Sequence, residues 1–98
     1  LIDETTEALA GLIITSIVED SHPLYDINFT LTGNIDYLHY RYRLDGVTDW
    51  INGLTIGLNT SPFNVELDVS AGDYEVQIYG FDIVNNENVY SNIYTITI

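Results

Sequence analysis

Between Tyr74 and Asp82 the chain alternates so strictly that few folds can hold it. Tyr74, Val76, Ile78 and Gly80 fall on one side, and Glu75, Gln77, Tyr79 and Phe81 on the other. A period of two residues is that of a half-buried β-strand, with one face toward a core and the other toward solvent or a partner. The strand is entered through Val69-Ser70-Ala71-Gly72-Asp73, a turn signal that runs directly into the alternation. The rest of the chain is placed relative to this central strand.

The same period recurs upstream. Leu12 to Val18 is β-branched and apolar, and Leu12, Ile14 and Ile17 share a face if a bulge shifts the phase after Thr15. Asp26 to Thr32 points Ile27, Phe29 and Leu31 inward, and Tyr37 to Leu44 does the same with Leu38, Tyr40, Tyr42 and Leu44. Asp45-Gly46 is a tight turn, after which Trp50-Ile51 and Leu54 to Leu58 form a short fourth strand interrupted by glycine. Phe63 to Val69 alternates cleanly, and a last strand spans Tyr90 to Ile98 with Tyr94, Ile96 and Ile98 inward. These are seven short strands without an amphipathic helix, separated by turns about every 8 to 12 residues, and they predict an all-β antiparallel sandwich. Residues 1–10 mix acid, Thr and Ala without a sustained period and read as a linker or lead-in, leaving a single domain over residues 11–98.

Composition narrows the partners. Asp and Glu total 15 against two Lys and Arg, a net charge of −13 at pH 7, and both cations, Arg41 and Arg43, lie in one segment. Such a surface repels phosphate backbones and anionic lipid, so nucleic acid and acidic membranes are not expected partners; cations, cationic surfaces and neutral glycans are compatible with it. The acid also keeps a Tyr-rich domain soluble. There is no Cys, so disulfides and thiolate metal sites are excluded, and no apolar run is long enough to insert in a bilayer. The start at Leu1 without Met reads as a processed product or an excised module.

Chemistry is sparse. His22 and His39 have no Ser or acid at a spacing that marks a triad, there is no phosphate-cradling glycine loop, and nothing asks for a cofactor. Calcium is a weak candidate, because the loops at one end of the expected sandwich gather Glu19, Asp20, Asp45, Asp49 and Asp73. The opposite end gathers Asn34, Asp36, Asn59, Asp82, Asn85, Asn86, Glu87 and Asn88, again without a ligand-loop template. Tyr37, Trp50, Tyr79 and Phe81 are candidates for an aromatic carbohydrate platform. Asn28-Phe29-Thr30 and Asn59-Thr60-Ser61 match the N-glycosylation sequon at Asn28 and Asn59.

The corner Val69-Ser70-Ala71-Gly72-Asp73-Tyr74 is similar to the Leu-x-x-Gly-x-Tyr of fibronectin type III domains within the immunoglobulin-like sandwiches. Tyr40 to Gly46, ending near Trp50, resembles strand C and the C–C′ turn of bacterial and phage versions, and Leu12, Ile14 and Ile17 resemble strand A. Phe29 stands where the family usually has Trp, and Val69 where the corner usually has Leu. The resemblance implies sheets A-B-E and C′-C-F-G, and a Tyr74 hydroxyl bonded back to the loop before it. It further implies a spacer or adhesion module of an extracellular, cell-surface or virion chain, with a lectin-like domain as the alternative.

Register then predicts an outer face. If Leu44 lies opposite Tyr74, the outward pairs are Arg43 with Glu75, Arg41 with Gln77, His39 with Tyr79, and Tyr37 with Phe81. Ile93 from the last strand joins the apolar end. This face is expected to contact a neighbouring domain or subunit, with the Arg pair docking on acid from the partner.

Overall fold

A computed structural model describes residues 11–98, and the lead-in assigned to residues 1–10 lies outside the described residues. The chain forms strands β1 (Gly11–Ser21), β2 (Leu24–Thr32), β3 (Asp36–Leu44), β4 (Ile51–Gly57), β5 (Phe63–Glu66), β6 (Asp73–Asp82), β7 (Glu87–Tyr90) and β8 (Tyr94–Thr97). Two antiparallel sheets result, β1-β2-β5 and β4-β3-β6-β7, with β8 also paired to β6. That is the expected grouping of the first, second and fifth strands against the rest.

The count is eight strands rather than seven, because Tyr90 to Ile98 is not continuous. β7 pairs with β6 from Tyr79 to Asp82, and β8 pairs with it from Asp73 to Val76. Between them, Ser91 replaces ladder bonds with its own groups. Its N–H donates to the Ile78 carbonyl at 2.9 Å, and its hydroxyl oxygen accepts the Ile78 N–H at 3.0 Å.

The two sheets bury one core. Leu12, Ile14, Tyr25, Ile27, Phe29, Phe63, Val65 and Leu67 come from the three-stranded side, and Leu38, Tyr40, Val76 and Ile78 from the five-stranded side. Ile35, in the loop before β3, is buried with them. The register slip in β1 falls between Ile14 and Ser16, where the apolar phase required it. Leu44 is a correction: expected inward, it is 44% exposed. It is the last residue of β3, and its ladder partner Tyr74 is the one buried at this level.

The Tyr74 hydroxyl donates to the Ser70 carbonyl at 2.9 Å, tying the entry of β6 to the preceding loop. Each open side of the sandwich is also bridged by a side-chain hydrogen bond. On one side the Tyr40 hydroxyl crosses to the Glu66 carbonyl at 2.8 Å; on the other the Asn92 amide meets the backbone of Ile14. Among the described residues no helix is long and apolar enough to cross a membrane.

Candidate functional site

The outer face of the five-stranded sheet is built by the β3–β6 ladder. Arg43 pairs with Glu75, Arg41 with Gln77 and His39 with Tyr79, in the register that the Leu44–Tyr74 pairing predicts. Arg43 Nε lies 2.6 Å from Glu75 Oε1, and its Nη1 donates to the Thr48 carbonyl at 3.0 Å, holding the turn that delivers Trp50. Arg41 donates twice to Gln77 Oε1, at 2.9 and 2.6 Å, and Gln77 in turn donates to the Ser91 carbonyl at 2.7 Å. Gln77 is therefore buried although it points away from the core.

Stacking continues the strip. Both guanidinium groups lie over the Trp50 ring, Arg43 at 4.0 Å and Arg41 at 4.5 Å from its centroid, and Arg41 also lies 4.9 Å from the Tyr90 ring. Tyr79 is stacked between His39 at 5.2 Å and Tyr90 at 5.4 Å. The face thus has a cationic, internally satisfied end and an aromatic end. The two arginines are committed to Glu75, Gln77, Thr48 and the Trp50 ring, which leaves little of either guanidinium for acid on a partner.

Two positions differ from the sequence-based register. Phe81 faces Asp36 rather than Tyr37, because the β3–β6 ladder slips by one residue between Asp36 and His39. Tyr37 still borders Phe81 in a shared recess. Ile93 is exposed but falls in the break between β7 and β8, next to the level of Gln77, and it is Tyr90 that meets Tyr79. Tyr90 and Ile83 are the members of this face that sequence reasoning missed, and Trp50, a candidate for the aromatic platform, joins it under the two arginines. Tyr90 begins a run whose alternation reads as a single straight strand, which leaves its pairing partner open.

The calcium candidates do not converge. Among the described residues no three acidic or histidine side chains are grouped to hold an ion, so Glu19, Asp20, Asp45, Asp49 and Asp73 do not form a site together. Asp73 instead accepts the Thr97 hydroxyl at 2.7 Å, and its carbonyl accepts the Asp45 N–H at 2.9 Å. His22 Nδ1 lies 2.8 Å from the Tyr25 hydroxyl; burial, and after it the charge of Glu19, pushes the Tyr25 phenol upward. Of the sequon residues, Asn28 donates its amide to Ser16 Oγ at 3.0 Å, and Asn59 donates to the Ile35 carbonyl at 3.3 Å.

Asp82, at the end of β6, is buried and organises the turn into β7. Its Oδ2 accepts the Asn85 side-chain amide at 2.7 Å, and its Oδ1 accepts the N–H groups of Val84 at 3.0 Å and Asn85 at 3.2 Å. The Asn85 side chain is the main cause holding this carboxyl below its ordinary value of 3.8, with the two backbone donors adding to it and burial opposing it. A carboxyl depressed on folding contributes stability above its unfolded pKa and loses it as pH falls through the folded one. Asp82→Asn is therefore expected to flatten the acid limb of a plot of thermal midpoint against pH below about 4. Parallel acid limbs in the two proteins would remove Asp82 from this role.

No family model matches the chain, and no curated protein or solved structure matches it.

Proposed function

We propose that this chain is a non-catalytic assembly or adhesion module of a larger extracellular, cell-surface, fibre or phage-tail protein. In this reading it is an immunoglobulin-like sandwich of the fibronectin type III kind. The order of strands in the two sheets and the Tyr74–Ser70 hydrogen bond support the kinship. The observation that carries the function is the outer face of β3, β6 and β7. There an ordered arginine–aromatic strip ends in Tyr37, Phe81 and Ile83, which are 63%, 37% and 65% exposed. Large apolar side chains side by side on an otherwise acidic domain are an interaction surface in waiting. A neighbouring domain or subunit covers them.

The carbohydrate-binding alternative asks for an open ring face. Trp50 has two guanidinium groups against its ring, and Tyr79 has a ring on either side, which reduces the flat surface a sugar would use.

The double replacement Phe81→Ser with Ile83→Ser tests the proposal. The circular dichroism spectrum should be unchanged, while the size of the parent assembly in solution falls. An assembly of unchanged size, with glycan binding that Trp50→Ala abolishes, would turn the assignment to the lectin-like alternative.

A further inference from the structure

The slip in the β3–β6 ladder has shaped a recess. β3 carries one more residue than β6 between the Asp36–Phe81 and His39–Tyr79 pairs. Tyr37 lies within that stretch at φ 42°, a left-handed conformation that bulky side chains seldom adopt. Bulges of this kind re-aim side chains beside binding sites. Here Tyr37 stands outward at the wall of a recess of about 310 Å³, whose other walls include His39, Tyr79, Phe81 and Ile83, with Asp36 among its polar groups.

Charge decides what fits. An anion would meet a chain of net charge −13 and a carboxylate at the recess itself. A neutral apolar group would strip water from Asp36 and return nothing. A cation gains from the carboxylate, and the Tyr37 and Phe81 rings beside it add aromatic surface that favours positive charge. Neither arginine of the chain is placed there. Arg43 is paired with Glu75, Arg41 is bonded to Gln77, and Asp36 is in no ion pair among the described residues.

We propose that this recess receives an arginine or lysine side chain presented by a partner polypeptide. Its aliphatic stem lies against Phe81 and Ile83, and its charged head reaches Asp36. The inference rests on the reading of this face as a docking surface and specifies the chemistry of the partner. A polypeptide is favoured over a free amine because exposed apolar surface continues past the recess to Tyr90, which is 47% exposed and would stay uncovered by a small ion.

The test is a titration of the isotope-labelled chain with capped Gly-Arg-Gly, Gly-Lys-Gly and Gly-Glu-Gly at about 0.15 M salt, where distant surface charges are screened. Amide shifts should concentrate at Asp36, Tyr37, Phe81 and Ile83 for the two basic peptides and be absent for the acidic one. Phe81→Ser and Asp36→Asn should each weaken binding by about two- to fivefold, the range of a single surface cation–aromatic or ion-pair contact. Shifts spread over the acidic loops, or insensitivity to Asp36→Asn, overturn the proposal, as does ethylammonium binding as tightly as the peptides. If the peptides fail while Phe81→Ser with Ile83→Ser still reduces the assembly, the docking surface stands and the cation does not. If the peptides bind while the assembly is indifferent, the recess stands alone.

Discussion

Replacing Tyr40 with Ala is expected to lower the unfolding free energy by about 3–5 kcal/mol, the cost of emptying a large aromatic site. Tyr40 is 3% exposed. Its ring meets Phe63 of the opposite sheet edge-on at 5.9 Å, stacks on Tyr42 at 6.3 Å, and its hydroxyl donates to the Glu66 carbonyl at 2.8 Å. The ring spans the gap between β4 and β5, the edge strands of the two sheets on that side, so Ala there would open a cavity beside water. β4 is continuous through Gly53 rather than interrupted there, and this glycine belongs to the same arrangement. A Cβ built on Gly53 would lie only 2.1–2.4 Å from ring atoms of Tyr40. Gly53→Ala must displace that ring and should cost about 1–3 kcal/mol, as overpacked cores do, although it sits on an edge strand. The two effects should not add. In a Tyr40→Leu background the obstructing ring is gone, and Gly53→Ala should become nearly neutral in urea denaturation. Additive losses would mean that Gly53 is required for its own backbone and not for the slot it leaves.

Much of this was legible in the chain because a two-residue period assigns every residue in a strand to a face at once. Once Leu44 was set against Tyr74, the pairs Arg43–Glu75, Arg41–Gln77 and His39–Tyr79 followed without further information. What escaped was whatever distant groups decide. The sequence from Tyr90 to Ile98 alternates well enough to read as one strand, yet Ser91 breaks it by bonding Ile78, and nothing local to Ser91 announces that. Leu44 keeps the alternation of β3 yet is exposed as the last residue of that strand, which alternation alone does not reveal. The slip at Tyr37 is silent for a related reason. Leu38 and Tyr40 keep their inward places, so the pattern through β3 looks unbroken while the pairing with β6 shifts beneath it. The candidate face was thus foreseen in outline, and its recess, which depends on that shift, was not.

Asn92 makes the same point about long range, and Asn92→Ala is expected to be unusually costly for an exposed polar position. β1 is an edge strand of the three-stranded sheet, and its outward backbone groups need partners. The Asn92 amide supplies them from the break between β7 and β8. Its Oδ1 accepts the Ile14 N–H at 2.7 Å and its Nδ2 donates to the Ile14 carbonyl at 3.2 Å, as one residue of a neighbouring strand would. The contact lies where the β1–β2 register slips between Ile14 and Ser16, and it links residues 78 apart in the chain. Ala at this position leaves a donor and an acceptor bare beside the buried Ile14 side chain, at about 1–3 kcal/mol for each group that water does not reach. Asn92→Asp separates the two bonds. It keeps an acceptor for the Ile14 N–H but sets a carboxylate oxygen against the Ile14 carbonyl, so stability should fall while that N–H stays protected. Hydrogen exchange at Ile14 should then quicken in Asn92→Ala and stay slow in Asn92→Asp. An Ile14 amide that exchanges at the same rate with Ala at position 92 would show that the two sheets are held on this side by packing alone.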